Sequence, residues 1–258
     1  MSNIRRGFVL VISSPSGAGK TTICKKIIEE VDSIDLSVSV TTRQKRKDEI
    51  NGRDYFFRSD KEFRILEKNK EFLEHANVFG FSYGTLKKEV ISKIEKGIDI
   101  IVDIDWQGTR QMQKHIPNDI VKVFILPPSI VELQNRLGKR ASEDKKNFLK
   151  RMSEAKKEIS HFIEYDFVII NNEIEKAVSQ IKSILFSERL RRHRQLNLSK
   201  FVDNLKLIFN YSLYDFLAIL QKSIIDKFSG LRFGEIFSSF KIICPLTFFK
   251  LVLIILRL

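Results

Sequence analysis

The sequence predicts an α/β protein built on a parallel β-sheet, and three observations predict it. Phe8–Ser13 (FVLVIS), Ile98–Asp105 (IDIIVDID) and Val121–Leu126 (VKVFIL) are apolar runs of strand length without polar alternation, so each strand must be covered on both faces. Segments between them carry apolar residues at helical spacing, as with Ile23, Ile27, Ile28 and Val31, the signature of a helix with one buried face. The first run breaks directly into Ser, Pro and Gly and then opens a helix at Lys20. Strand, helix, strand, helix is a βαβ series, whose chemistry gathers at the C-terminal ends of the strands.

The elements follow in order. A helix is expected over Thr21–Val31, then strand-like segments at Leu36–Thr41 and Tyr55–Phe57, separated by a charged stretch with a tight turn at Asn51-Gly52. Asp60 caps a short helix to about Lys68, Glu71–Val78 and Phe81–Tyr83 read as extended, and Leu86–Lys96 is helical by spacing. Residues 37–90 therefore read as an insertion into the βαβ series. After the second and third apolar runs, helices are expected from Ser129 to about Arg140 and from Lys145 to about Ile163. A strand at Phe167–Ile170 and a long basic helix from Glu173 to about Arg194 follow.

Composition bounds the partners. With 258 residues and 43% hydrophobic content the chain can bury a sizeable core. Its net charge of +13 suits polyanions, and the excess is spread out: 38 basic against 29 acidic residues up to Leu205, then 7 against 3. Nucleotides are polyanions themselves, and no arginine-and-aromatic pattern points to nucleic acid. Cys24 and Cys244 form no CxxC pair, and His75, His115, His161 and His193 have no metal spacing, which implies a reducing cytoplasm and no structural zinc. The N-terminus runs straight into the first strand, unlike a cleaved signal.

Ser14-Pro15-Ser16-Gly17-Ala18-Gly19-Lys20-Thr21 is a phosphate cradle. Gly17 and Gly19 allow the tight turn that aims successive N–H groups at one anion, and the helix behind adds its positive end. Lys20 reaches outer phosphates, and the Thr21 hydroxyl suits the Mg²⁺ that accompanies a nucleoside triphosphate. Ser14 stands where GxxxxGK[ST] begins with glycine. A plain Gly/Ser turn is the alternative, and it leaves a lysine unexplained at a helix N-terminus, where the dipole disfavours cations.

Ser39-Val40-Thr41-Thr42-Arg43-Gln44-Lys45-Arg46 and Asn51-Gly52-Arg53-Asp54-Tyr55 bring arginines and a tyrosine together. Guanidiniums bind phosphate oxygens through a planar fork, while on charge alone a solvated basic loop is the favoured reading of the stretch. The segments SPSGAGKTT, SVTTRQKR, NGRDYFF, EFLEHANVFGFSYGT, DIDWQG and SHFIEYDFVIIN, in this order, resemble guanylate kinase of the bacterial type over about residues 7–205. The resemblance implies a P-loop nucleoside monophosphate kinase fold with a parallel core, a GMP-binding insertion (37–90) and a lid (137–150). It implies transfer of the ATP γ-phosphoryl to GMP, and to dGMP, with Mg²⁺.

It also implies residue roles. ATP lies on Ser14–Thr21 with Lys20 catalytic. Arg43, Arg46, Tyr55 and Tyr83 surround the GMP phosphate, and Ser39, Glu74 and Thr85 surround the guanine. An ionised Glu74 can accept from N1–H and N2–H of guanine, a donor pair that adenine lacks. Asp103 would hold Mg²⁺ through water and Asp105 would contact GMP, the alternative being two strand-end acids that cap the helix from Trp106. Arg136, Arg140 and Arg151 match the lid arginines, although Ala141–Lys146 lacks the family's Gly-Thr/Ser-Asp pattern. Pairing with Glu143 or Glu154 is their structural alternative. Two other functions stay open, a catalytically silent protein-binding relative and a kinase for another nucleoside monophosphate.

From Lys206 nothing resembles the family. Eight of the 21 Phe residues fall in the last 53 positions, and Ile242–Leu258 is 17 residues long with Lys250 in its middle, short for a span of about 20 apolar residues. Packing on the core or on a second subunit, membrane-surface association and an unstructured extension all remain open, as does the oligomeric state.

Overall fold

The computed structural model describes residues 5–78, 80–140 and 145–210, together with Lys222. Residues 1–198 and 199–258 form separate compact units. β1 (Val9–Ser13) passes through a loop into α1 (Lys20–Glu30) and β2 (Ile34–Leu36). β3 (Val40–Thr41), β4 (Phe56–Phe57), α2 (Asp60–Lys68), β5 (Phe72–Val78) and β6 (Phe81–Leu86) follow. Next come α3 (Lys87–Glu95), β7 (Asp99–Asp103), α4 (Trp106–His115) and β8 (Ile120–Leu126). α5 (Ile130–Arg140), α6 (Lys145–Ser160), β9 (Phe167–Ile170) and α7 (Ile174–Arg189) complete the first unit, and α8 (Leu198–Asn210) leads into the second.

Five strands form a sheet in the order β2-β7-β1-β8-β9, with every pairing parallel. β1 lies at its centre and is buried throughout. Phe8, Leu10 and Ile12 point into a core with Ile23 and Ile27 of α1 and Val178, Ile181 and Leu185 of α7. Val9 and Val11 point the other way, toward Val90 and Ile94 of α3 and Met112 of α4. That two-sided cover is why the run lacks alternation.

A second sheet, β4-β3-β6-β5, is built from the inserted segment. Its apolar side packs Val40, Phe63 and Phe72, with Phe56, Leu66 and Leu86 at the margin. Gln111 of α4 ties β5 to the main body by donating to the His75 carbonyl (3.0 Å) and accepting from the His75 N–H (3.1 Å).

Several sequence expectations shift at element ends, each for a tertiary reason. The expected strand Leu36–Thr41 divides between the sheets, β2 pairing with β7 and β3 with β4 and β6. Ser59, not Asp60, caps α2: Glu62 N–H donates to its hydroxyl (3.3 Å), and the Glu62 carboxylate accepts from Ser59 N–H (2.8 Å), a reciprocal capping box. α6 stops at Ser160 and tightens into a 3₁₀ turn at His161–Glu164. The helix expected to reach Arg194 ends at Arg189, because Arg189 turns back to Asp99 (2.7 Å) and to the Asp32 carbonyl (2.7 Å). A second 3₁₀ turn, Arg192–Arg194, then buries Arg194 over the Phe8 ring, 4.6 Å from its centroid.

Among the described residues no helix is long and apolar enough to cross a membrane. The Phe-rich segment beyond Lys206 lies outside the described residues except for the end of α8 and Lys222.

Asp99, read as part of an apolar strand, is fully buried. Its carboxylate accepts from Arg5 (2.6 and 2.9 Å) and Arg189 (2.7 Å). Removing one member of such a network leaves buried charge uncompensated. Asp99→Ala is therefore expected to lower the unfolding free energy by about 3 kcal/mol, read from the midpoint of a urea titration. An unmoved midpoint would show that this network contributes nothing to stability.

Candidate active site

The loop after β1 is held from three sides. Ser13 Oγ donates to the Ile104 carbonyl (2.6 Å), Ala18 N–H closes a turn onto the Pro15 carbonyl (3.1 Å), and Leu133 and Leu137 of α5 lie beneath Gly17. Gly17 and Gly19 have φ of 89° and 98°, left-handed values that side chains resist. As N-cap of α1, Gly19 supplies no side-chain acceptor, so the first-turn N–H groups keep their capacity for an anion. Lys20 extends from that turn and forms an ion pair with Asp103. The pairing is set by register, since parallel pairing puts Asp103 beside Ile12.

Sequence reasoning missed Glu158. This carboxylate, on α6, accepts from Ser16 N–H (3.3 Å). Burial pushes its pKa up, Lys20 and the Ser16 N–H oppose that, and Asp105 and Glu154 add to it. The signal was present: Glu158 follows Arg151 by seven residues, so the two share a helix face.

The second sheet carries the other candidates. Arg43 donates to Glu49 (2.6 Å) and to the Gln44 carbonyl (2.9 Å), with its guanidinium 5.3 Å from the Tyr55 ring centroid. Tyr55 and Tyr83 meet edge to face at 6.0 Å. Glu49, in a stretch that reads as polar loop, also accepts from the Arg46 N–H (2.9 Å). One acid thus holds the Arg43 guanidinium and the Arg46 backbone. Ser39 sits beside this cluster in the chain, and its carbonyl accepts from Phe56 N–H (2.9 Å).

Glu74 and Thr85 face each other across the β5/β6 ladder, and the Thr85 hydroxyl donates to Glu74 (2.6 Å). Glu74 is only 5% exposed. Burial raises its pKa to about 6, Thr85 works against that, and the nearby charge of Asp105 adds to it. The other carboxylate oxygen lies 3.1 Å from where a Cβ on Gly108 would stand, so the glycine of DIDWQG makes room for this acid. Asp105 caps α4, accepting from Gln107 and Gly108 N–H groups (both 2.9 Å). One of its oxygens is thus committed to the helix.

Of the three arginines matched to the lid, Arg136 bonds Glu132 (2.7 Å), and its Nη1 lies 3.9 Å from the position a Gly19 Cβ would occupy. Arg151 is partly exposed on α6. The Arg140 side chain and residues 141–144, where the family pattern departs, lie outside the described residues. The far end of α6 is anchored to α4: Trp106 stacks on His161 at 3.7 Å, and Arg110 grips Glu164 (2.6 and 2.7 Å), whose carboxyl is held down at about 2.

A loop for phosphates on the central strand, opposite a separate sheet that buries one carboxylate near the same strand ends, is the plan of a P-loop kinase that phosphorylates a second nucleotide. Residues 6–188 match the family model described as Guanylate kinase. A guanylate kinase of Rhodopseudomonas palustris (strain BisB18) is 46% identical over 202 residues, covering 78% of this chain and 92% of the relative. That of Rhizobium meliloti (strain 1021) is 45% identical over 201 residues, with 78% and 92% covered. The crystal structure of guanylate kinase from Anaplasma phagocytophilum superposes with a TM-score of 0.62 at 37% identity, over 78% of this chain and 95% of that one. The chain belongs to the guanylate kinase family.

Burial of Glu74 has a measurable cost. The folded pKa, about 6, lies above the ordinary 4.5, so between these values the folded state binds more protons and stability falls as pH rises. Above pH 6 the penalty is complete, at about 2 kcal/mol. Glu74→Gln is expected to be more stable than the parent by that amount at pH 8, with the gap closing toward pH 4.5. Parallel urea titrations across this range test it, and a pH-independent difference would contradict it.

Proposed function

We propose that the chain transfers the γ-phosphoryl of ATP to GMP, giving ADP and GDP, with the donor on Ser14–Thr21 and the acceptor on the second sheet. The observation that carries this reading is the turn from β7 into α4. Asp103 pairs with Lys20 at the phosphate loop, and two residues later the charge of Asp105 bears on Glu74. Donor and acceptor sites therefore meet across one strand end.

In this reading Lys20 leaves Asp103 for the outer phosphates of ATP. Arg43, Arg46, Tyr55 and Tyr83 hold the GMP phosphate, which takes the place of Glu49 on the Arg43 fork. Glu74, ionised above pH 6 and oriented by Thr85, accepts from guanine N1–H and N2–H, while Ser39 completes the base site and Asp105 contacts GMP. Adenine would leave the carboxylate unpaired, and sites of this kind reject such analogues by roughly 10⁴-fold. dGMP differs at the ribose alone and is accepted. No general base is needed, because the GMP phosphate is already an anionic nucleophile. Positioning and charge stabilisation by Lys20, Arg136, Arg140 and Arg151 carry the rate.

Thr21 and Asp103 fit Mg²⁺: both offer hard oxygen ligands, Thr21 is exposed beside the loop, and Mg²⁺ takes few protein ligands while keeping its waters. The ion would offset phosphate charge when ATP binds. A cytoplasmic setting is part of the proposal, supported by the free, buried Cys24, whose thiol burial pushes up to about 12.

Lys20→Ala is expected to lower kcat by about 10²–10³-fold in an ADP-release assay with ATP, GMP and Mg²⁺; undiminished turnover would refute the assignment. With Glu74→Gln, kcat/KM for GMP should drop by about 10³-fold while KM for ATP stays within about twofold of the parent. Equal effects on the two nucleotides would remove Glu74 from base reading.

A further inference from the structure

α6 carries Arg151, Ala155 and Glu158 at helical spacing, so the three stand on one face. Ala155 shows where that face points: it is 1% exposed and packs with Leu133 and Leu137 of α5, the same leucines that lie beneath Gly17. α6 and the phosphate loop thus rest on a common apolar floor. Beyond that floor Glu158 reaches the loop itself, accepting from the N–H of Ser16 (3.3 Å), a residue 142 positions earlier in the chain.

A loop whose N–H groups are arranged for an anion here receives one that belongs to the protein. The charge on Glu158 is costly where it stands: burial disfavours it, Lys20 and the Ser16 N–H relieve part of that cost, and Asp105 and Glu154 add to it. Lys20 also serves the outer phosphates in the reading above, so the carboxylate and an incoming phosphate claim one cation and one end of the loop. Like charges at that range repel, and a phosphate brings more charge and more acceptor oxygens than the acid it meets. The acid is the one that leaves. Because Glu158 is fixed to α6, its departure shifts the helix over the leucines, and Arg151 on the same face moves with it.

We infer that Glu158 is a positioning residue for α6, which docks the helix on the empty phosphate loop through Ser16 and is displaced by the outer phosphates of ATP, so that filling the loop sets the placement of Arg151. The inference rests on the assignment of ATP to Ser14–Thr21. It makes Glu158 an internal competitor for one substrate alone, because GMP is assigned to the second sheet.

The test uses the full chain with Glu158→Gln, which keeps the shape and removes the charge, and Glu158→Ala, which removes the contact. Glu154→Gln, on an exposed residue one turn earlier in α6, controls for a general effect of charge. Calorimetry with ATP, inorganic tripolyphosphate and GMP, each added alone, requires no turnover. A site that is open only part of the time weakens its ligand in proportion, so both Glu158 variants should bind ATP and tripolyphosphate at least about threefold more tightly than the parent. Loss of a merely structural contact would weaken binding instead. GMP affinity in these variants, and ATP affinity in Glu154→Gln, should stay within about twofold of the parent. In the nucleotide-free protein, hydrogen exchange in α6 should be faster in Glu158→Gln than in the parent. A smaller gain for ATP in either folded variant overturns the proposal, as does a matching gain for GMP or in Glu154→Gln, or unchanged exchange in α6. If Glu158→Ala does not fold, Glu158→Gln decides. A parent protein that binds ATP but makes no GDP would refute the proposed function and leave this comparison intact.

Discussion

The in-register parallel pairing of β1 with β7 is the constraint on which the rest depends. Val9 to Ile12 lie opposite Ile100 to Asp103 without a slip, and both faces of β1 are sealed by apolar side chains. A one-residue slip would turn every apolar side chain to the wrong face, so the register is held by the whole core. Its consequence appears one residue past the sheet. The loop after β1 and the acids after β7 must leave the same edge side by side, which brings Lys20 to Asp103 and sets Asp105 between that pair and Glu74. Parallel strands also end together, and Asn171 after β9 reaches the Ala18 carbonyl of the same loop (2.7 Å) for that reason.

On the substrate assignment proposed above, charges at this edge and on the second sheet are paired in ways that substrates can replace. Lys20 has Asp103, Arg43 has Glu49, Arg136 has Glu132, and the Ser16 N–H has Glu158. These contacts involve partly exposed groups, and pairs of that kind contribute little to stability. A phosphate with more charge and more acceptor oxygens can displace such an acid at small cost. The net excess of basic residues, spread along the chain, suits nucleotides, which are polyanions themselves.

The opposite edge is built differently. Asp99 joins Arg5 and Arg189, Arg6 grips Asp119 through three short contacts (2.8 to 3.0 Å), and Arg194, only 2% exposed, lies over Phe8 with Glu188 and Asp119 as acidic neighbours. Burial pushes the Arg194 pKa down, and Glu188 and the nearby acids resist that. Contacts of this kind, with Asp99 and Asp119 held by arginines 90 to 113 residues away in three of them, fasten the strand beginnings. Charge is thus fixed at one end of the sheet and exchangeable at the other, because one end is desolvated and the other must admit a polyanion.

The same contrast explains what could be read from the chain. β1 and its loop were legible because two-sided burial dictates an unbroken apolar run and the phosphate turn demands Gly17 and Gly19; both requirements are local. The division of Leu36–Thr41 between two sheets was not, since Leu36 and Val40 look alike until their partners are known. Asp99 reads as one more residue of an apolar strand because its partners, Arg5 and Arg189, are 94 and 90 residues away. Glu49, Glu158 and Asn171 look like surface or strand-end residues for the same reason: each has an ordinary local context and a partner supplied by the fold. The end of α7 lacks any glycine or proline signal and is set by where Arg189 must turn. Sequence therefore reveals those parts whose physical requirement is met within a few residues, while a site assembled from several strand ends hides the residues that hold others in place. Such residues are found by asking which polar side chain reaches, from elsewhere in the fold, a loop that binding needs.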